Sequence, residues 1–477
     1  MVAQQGLAHA ETIVKSHFGE IVSKVVGCLL HRGSLALPEI VRFVRLPPPQ
    51  VRSSLLVLIQ HNCVQAFSIE RPAAGLGGAI RNVTQYTALF YNILQRMRFT
   101  KFSAIVNADL GEQCEYLLDG LLQHGRLTFD QLAVRVTLKH PGGSSSVEQQ
   151  VTIAAAVSHA ERFCEIPDMG TNTIPNVKVT DHSPGVSVGD KRKRKAREVD
   201  NDGQATIAES EFLWRANFEK FVCCLKKKAC VEHIKSRSGP NAGIVLEAMI
   251  ESNHEQKAKD NNSVMSSMDD ILEGVKVKPG GSSMTLENVR KILVEELGCR
   301  LSDEETEALH TINLKNIIET CQNDEVEALV VKRYGDEARR IFTLLAKKGI
   351  YENDQIHNAA LLEKTKTEGI LYKFWKDDYL DMKRAISSED GRQKHNFLWK
   401  MNKSVISEHI LNDMYHAAIN LSQRATHMIE EDPELFAPYQ NLPEAQRKLK
   451  IAQQTRWIVL LYSLSKIDDG LMLFLDF

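Results

Sequence analysis

The sequence holds nine cysteines yet no C-x-x-C pair, and only Cys223 and Cys224 are adjacent. That excludes a zinc ribbon and argues against a disulfide framework. It fits thiols used as small buried hydrophobes in a reducing compartment. Long apolar runs are missing too. The longest, Trp457-Ile458-Val459-Leu460-Leu461-Tyr462, falls far short of the roughly 18 residues a membrane span requires, so no membrane is expected. Charged residues interrupt the start of the chain, so no signal-peptide pattern is expected. An excess of positive charge is also absent: 59 Lys and Arg face 61 Asp and Glu, for a net charge of −2. A protein whose main task is gripping phosphates is strongly basic. Any nucleic-acid contact must therefore be local.

The motifs of catalysis are absent as well. There is no Gly-x-x-x-x-Gly-Lys loop, no Gly-x-Ser-x-Gly elbow and no His-Glu-x-x-His. Gly75-Leu76-Gly77-Gly78 does not open a helix, as a dinucleotide loop must. Asp468 and Asp469 are adjacent. On a helix they point about 100° apart and make a poor two-metal site. The 16 histidines show no ligand spacing. The expectation is no catalytic residue, no cofactor and no metal.

What the chain does contain is length and repetition. At 477 residues it exceeds one core, and units of roughly 100–200 residues imply three or four. Leu30-His31-Arg32-Gly33-Ser34-Leu35, Leu122-Gln123-His124-Gly125-Arg126-Leu127 and Ala346-Lys347-Lys348-Gly349-Ile350-Tyr351 read alike. Each follows a helical apolar pattern, such as Phe18, Ile21, Val22, Val25, Val26, Leu29 and Leu30. Each glycine supplies the left-handed residue that ends the helix. Valine at Gly33, Gly125 or Gly349 is expected to destabilise its module. A second short helix then buries Ile40, Leu132 or Ile356. In the first copy a third helix at 48–62 opens on Pro48. Strand-like segments at 63–67 and 83–89 flank the glycine-rich residues 73–79. Three helices and a β-hairpin make a winged helix. The last copy has strands at 379–384 and 395–401 around a polar tip. A weaker third copy is placed at 211–228, with Ile234 in the role of Ile40 and 240–253 as third helix.

The expected fold is mainly α with small β-wings: tandem extended winged-helix domains plus a C-terminal antiparallel coiled-coil hairpin. The modules fall at 1–92, 93–167, 209–332 and 333–402. Residues 168–208 form a disordered basic linker. Within it Lys191, Arg192, Lys193, Arg194, Lys195 and Arg197 read as a nuclear import signal. Residues 403–477 hold two helices joined by a proline-rich turn, which fold back on each other. An apolar side at 457–464 calls for a partner surface.

A DNA-reading third helix carries Arg, Lys, Asn or Gln into the major groove. Residues 48–62 hold only Arg52 as a charge. Residues 147–163 carry Glu148, Glu161 and Arg162, and residues 240–253 carry Glu247 and Glu251. Only 362–376 is positive, with Lys364, Lys366, Lys373 and Lys376 against Glu363 and Glu368. The modules therefore read as protein-docking units. Lys383, Arg384, Arg392 and Lys394 in the last wing are the candidate DNA contacts.

The chain resembles the winged-helix-repeat subunit of nuclear RNA polymerase III, subunit three. The resemblance rests on His17-Phe18-Gly19-Glu20-Ile21-Val22, Leu58-Ile59-Gln60-His61-Asn62 and Leu213-Trp214-Arg215-Ala216-Asn217-Phe218-Glu219. It returns at Arg333-Tyr334-Gly335, at Arg340-Ile341-Phe342, and at Lys466-Ile467-Asp468-Asp469-Gly470-Leu471-Met472-Leu473-Phe474. It implies four extended winged helices, a coiled-coil hairpin and no polymerase active site. It implies partners as well: other polymerase III subunits, especially two more members of an initiation heterotrimer, and the clamp of the largest subunit. It implies a nuclear role in opening promoter DNA at transfer RNA, 5S ribosomal RNA and other small-RNA genes, with DNA touched indirectly or weakly. The alternative is a sequence-specific winged-helix DNA-binding regulator. A scaffold of the proteasome-lid type would instead place a helical solenoid before one winged helix.

Overall fold

A computed structural model describes residues 4–72, 80–128, 130–132, 134, 164–165, 213–253, 262–304, 307–389, 392–433, 436 and 443–477. The chain divides into two compact units, Ala10–Lys220 and Met1–His9 with Phe221–Phe477.

The first module opens with α1 (Gln4–Phe18) and α2 (Glu20–Arg32). Val25, Val26 and Leu29 of α2 are buried, as their spacing requires. Gly33 ends α2, its N–H donating to the Leu29 carbonyl at 2.9 Å. Then come β1 (Leu35–Ala36), α3 (Leu37–Val44), α4 (Pro48–Gln60), β2 (Val64–Pro72) and β3 (Ile80–Ala88). The Ala36 N–H donates to Glu39 Oε2 at 2.8 Å, which satisfies one of the open donors at the start of α3. Asn62, at φ 56, closes α4, and the Cys63 N–H donates to the Leu58 carbonyl at 2.8 Å. The strands lie in the order β1-β3-β2, all antiparallel.

The second module adds α5 (Phe90–Gln95), a 3-10 turn (Arg96–Arg98), α6 (Phe99–Leu110), α7 (Glu112–His124) and β4 (Leu127–Thr128). Its sheet is completed by β5 (Cys164–Glu165) and β6 (Leu213–Ala216), in the order β4-β6-β5. The expectation of a linker at 168–208 and a third module opening at 209 meets a correction here. Leu213–Ala216 is a strand of the second sheet, with Leu127 opposite Trp214 and Cys164 opposite Ala216. The basic run therefore lies between two paired strands of one sheet. Residues 168–208 themselves, with the import candidates Lys191, Arg192, Lys193, Arg194, Lys195 and Arg197, lie outside the described residues.

In the other unit, α8 (Phe218–Ser238) leads to α9 (Pro240–Glu251), β7 (Ser263–Ser267), α10 (Met268–Val277) and α11 (Leu286–Lys291). A wider π-turn, Ile292–Glu296, extends α11 before β8 (Arg300–Glu304) and β9 (Glu307–Asn313). The order is again β7-β9-β8. This corrects the third copy. The residue in the role of Ile40 is Ile271, not Ile234, and 240–251 is the first helix of the turn rather than the third. Ser267 caps α10, its hydroxyl accepting from the Asp270 N–H at 3.2 Å.

The fourth module repeats the plan with α12 (Leu314–Tyr334), α13 (Asp336–Lys348), β10 (Ile350–Glu352), α14 (Asn353–Ala360), α15 (Lys364–Lys376), β11 (Leu380–Glu389) and β12 (Arg392–Met401). Its strand order is β10-β12-β11. The wing strands run further toward the tip than their apolar alternation suggested, because a two-stranded ribbon needs no buried face at its end. Ile40, Ile271 and Ile356 are fully buried at matching places, each contributing about 2–3 kcal/mol.

A turn that periodicity did not reveal recurs inside each module. Gly19, Gly111, Gly239 and Gly335 stand between the first two long helices of each module. Their φ values are 86°, 86°, 101° and 89° with ψ near extended, a combination open to glycine and strained for other residues. The apolar pattern runs on through these glycines, so two helices read as one.

The chain closes with α16 (Lys403–Glu431) and α17 (Glu444–Leu475), which pack on each other as a hairpin. The end of α17 is held in the cores of the third and fourth modules. Leu473 joins the first of these cores and Phe474 packs against both. Gln322 Nε2 of α12 donates to the Leu473 carbonyl at 2.7 Å.

Candidate interaction surfaces

The outer faces of the third helices are where a winged helix meets a partner. On α4 the core takes Val51, Leu55 and Leu58. The opposite face shows Arg52, Leu56 and Val57, the last two 50% and 36% exposed. One charge among apolar side chains suits protein, not phosphate. On α11 and its π-turn, Val289, Ile292 and Leu293 face inward. Arg290 and Lys291 stand against Glu287, Glu295 and Glu296, with Lys291 and Glu295 3.9 Å apart. Residues 147–163 lie outside the described residues.

The fourth module differs. Thr367, Ile370, Leu371 and Phe374 of α15 are buried. Tyr372 and Trp375 are exposed, their ring centres 5.9 Å apart. Lys364 is held 3.0 Å from Asp354 and Lys366 3.5 Å from Glu337. Lys373 and Lys376 make no ion pair among the described residues and flank the exposed rings. The positive charge of α15 is thus half spent inside its own module.

Its wing splits the candidate DNA contacts. Lys383 opposes Leu398 and Arg384 opposes Phe397. Neighbours along a strand point to opposite faces, so Lys383 and Arg384 do not share a surface. Both are exposed, and the Arg384 guanidinium sits 5.9 Å from the Phe397 ring centre. In the same register Arg392 opposes Glu389 and Lys394 opposes Ser387.

Beneath α15 lies an open groove of about 560 Å³ lined by Arg333, Tyr334, Lys376, Asp377, Tyr379 and Asp413, among others. Arg333 donates to the Tyr379 hydroxyl at 3.3 Å and forms an ion pair with Asp413 of α16. The Asp413 hydrogen bond raises the Arg333 pKa. Tyr334 donates to Asp377 Oδ2 at 2.5 Å, and burial first, then Asp377, pushes its phenol up. These groups clasp the hairpin to the fourth module. None is an activated nucleophile.

In the Ala10–Lys220 unit the end of α4 meets the turn after α7. Gln60 Nε2 donates to the carbonyls of His124 and Arg126 at 3.0 and 2.7 Å. Arg215 Nη1 donates to Asn62 Oδ1 at 3.2 Å. Burial, then the nearby Arg96, lowers the pKa values of His17 and His61 to about 4. Residue patterns along the chain did not reveal this junction, because its partners lie far apart in sequence.

The thiols are held as apolar groups. Burial pushes Cys63 up to about 11, and Cys230 and Cys299 up to about 12. Among the described residues no group of three or more His, Cys, Asp or Glu is placed to hold a metal, and no helix is long and apolar enough to cross a membrane.

Comparison with known proteins agrees with this architecture. A family described as RNA polymerase III subunit RPC82 helix-turn-helix domain matches residues 9–68. A second, described as RNA polymerase III subunit RPC82, matches residues 126–368, more than half of the chain. The chain is 21% identical to human DNA-directed RNA polymerase III subunit RPC3, over 90% of this chain and 85% of that protein. It is 20% identical to the rat protein of the same name, with the same coverage. It is also 22% identical to a Dictyostelium discoideum subunit rpc3, over 57% of this chain and 44% of that one. Four winged-helix sheets among the described residues, a terminal hairpin and these matches lead to one conclusion: the chain belongs to the RNA polymerase III subunit RPC82 family.

Proposed function

We propose that this chain is a non-catalytic, specific subunit of nuclear RNA polymerase III that holds partner subunits together. Its partners are the two other members of an initiation heterotrimer and the clamp of the largest subunit. Through them it supports promoter opening and initiation at transfer RNA, 5S ribosomal RNA and other small-RNA genes. The observation that carries the reading is the outer face of α4, which offers Leu56 and Val57 with a single charge, Arg52. The hairpin adds a second apolar face. On α17, Ile458 and Tyr462 are 58% and 64% exposed one helical turn apart. Import into the nucleus falls to Lys191, Arg192, Lys193, Arg194, Lys195 and Arg197, and weak DNA contact to the fourth wing.

Affinity purification of the tagged chain followed by mass spectrometry tests this. Co-recovery of polymerase III subunits is expected; recovery without them overturns the proposal. A sequence-specific regulator is the second reading, favoured by Lys373 and Lys376 on α15. Tight, salt-resistant and sequence-selective binding by the purified chain would select it instead.

A further inference from the structure

Helix α17 carries two apolar rows. Trp457, Leu460, Leu464, Ile467 and Leu471 are half-buried or buried and alternate three and four apart, the seam spacing of a helix that packs on another, here α16. Ile451, Thr455, Ile458, Tyr462 and Ser465 repeat that spacing, yet all five are exposed, Ile451 by 48%. Successive helical residues turn by about 100°, so Ile458 points about 160° away from Leu460. The second row therefore looks away from the seam. Val459 and Leu461 widen it and are 55% and 38% exposed. From Ile451 to Tyr462 it runs about 16 Å.

Charge frames this row. Between Glu444 and Asp468 the helix holds Arg447, Lys448, Lys450, Arg456 and Lys466 and no acid. Lys448 and Lys466 stand five whole turns apart, so they share one flank, beyond the two ends of the apolar row. Each makes an exposed ion pair within the helix, with Glu444 at 2.8 Å and Asp469 at 3.4 Å, and such pairs yield readily to a partner's carboxylate. No cation stands in the middle of the row, as a track for phosphates requires, and Arg456 turns about 160° from Ile458. A face that enters a membrane is continuously apolar, whereas Thr455 and Ser465 interrupt this one. Two copies of the face would bring like charges together. We propose that the outward face of α17 receives an amphipathic helix of a partner protein, with apolar residues at heptad spacing and acidic residues on its flanks. The hairpin then becomes a three-helix bundle. The proposal rests on the docking role above and names the chemistry of one partner.

Binding of the purified full chain to defined probes tests it. The first probe is a fluorescent synthetic helix of about three heptads, with Leu at a and d and Glu at e and g. The second is the same helix with Lys in place of Glu. A single-stranded oligonucleotide and phosphatidylserine vesicles complete the set. The acidic helix is expected to bind about tenfold more tightly than the basic one, and Ile458→Asp to weaken it about tenfold. The double variant Lys448→Glu, Lys466→Glu should reverse the preference toward the basic helix, a gain that a misfolded chain does not produce. No binding of the acidic helix, equal binding of both helices, or acidic-helix binding unchanged in Ile458→Asp overturns the proposal. So does oligonucleotide binding, vesicle binding or self-association that is lost in Ile458→Asp. The probes contain no polymerase subunit, so failure here leaves co-purification to decide the docking role by itself.

Discussion

The backbone carbonyl oxygen of Gln60 lies 2.1 Å from the point where a Cβ on Gly125 would stand. Gly125 also has φ 80°, so two separate constraints hold it as glycine. Gly33 and Gly349 share the positive φ, at 81° and 86°, but no atom lies within 4 Å of their Cβ positions. The substitution Gly125→Ala must push two modules apart, whereas Gly33→Ala and Gly349→Ala bear backbone strain alone.

Urea unfolding of the full chain should therefore rank these variants. A loss of about 1–2 kcal/mol is expected for Gly33→Ala and Gly349→Ala. Gly125→Ala should lose about 3 kcal/mol or more, since the clash is with backbone and cannot relax by a rotamer change. Three equal losses would remove the junction from the account.

Stability should also fall with acid in a defined window. An unfolded histidine takes its proton near pH 6.5, whereas folded His17 and His61 take theirs only at about 4. Burial is the first cause for both; Arg96 follows, joined at His61 by His124 and His17. Between those values the unfolded state binds more protons, so stability is full above pH 6.5 and is lost as pH falls toward 4. Thermal melts across this range should show a falling Tm. The double variant His17→Gln, His61→Gln should flatten that slope relative to the parent; an unchanged slope would place its origin elsewhere.

The apolar outer faces give a separable test of assembly. Leu56→Asp on α4 and Ile458→Asp on α17 alter half-exposed side chains, so folding should change by no more than about 0.5 kcal/mol. Each should reduce co-purification of polymerase III subunits several-fold while circular dichroism stays the same. Full recovery with both variants would mean that neither face is an interface.

The fourth wing predicts unequal effects from adjacent residues. Both Lys383 and Arg384 are exposed, on opposite faces of the wing, and only Arg384 has an aromatic neighbour, its guanidinium 5.9 Å from the Phe397 ring centre. Lys383→Ala should weaken duplex binding uniformly across sequences and reduce the salt slope by about one. Arg384→Ala should change the slope less. Fluorescence anisotropy at several salt concentrations reads both, and identical slopes would contradict the split.

Much of this fold is legible in the residues. Gly33, Gly125 and Gly349 follow strongly periodic helices, so the turn declares itself. Glu39, Gln131 and Gln355 each sit three residues past a helix start and accept from the backbone N–H of Ala36, Thr128 and Glu352. In the third module the Ser267 hydroxyl accepts from the Asp270 N–H and donates to Asp270 Oδ2, and that Ser-x-x-Asp spacing would have located Ile271. What stayed hidden is non-local. Leu213–Ala216 is too short to show alternation, and its partner strands are far back in the chain. The Gln60–Gly125 approach and the surroundings of Arg96 likewise depend on how modules dock, which no local period encodes.

The long stretch of chain between β5 and β6 has a consequence for biosynthesis. The wings of the other three modules pair strands that lie close together in the sequence, so each closes soon after it leaves the ribosome. The second sheet cannot close until Ala216 has emerged, after the whole basic run has been translated. Until then β4 and β5 lack their central strand. The slowest step in making this protein should therefore be completion of its second module, and a pause in translation before residue 213 should prolong exposure of that unpaired edge to chaperones.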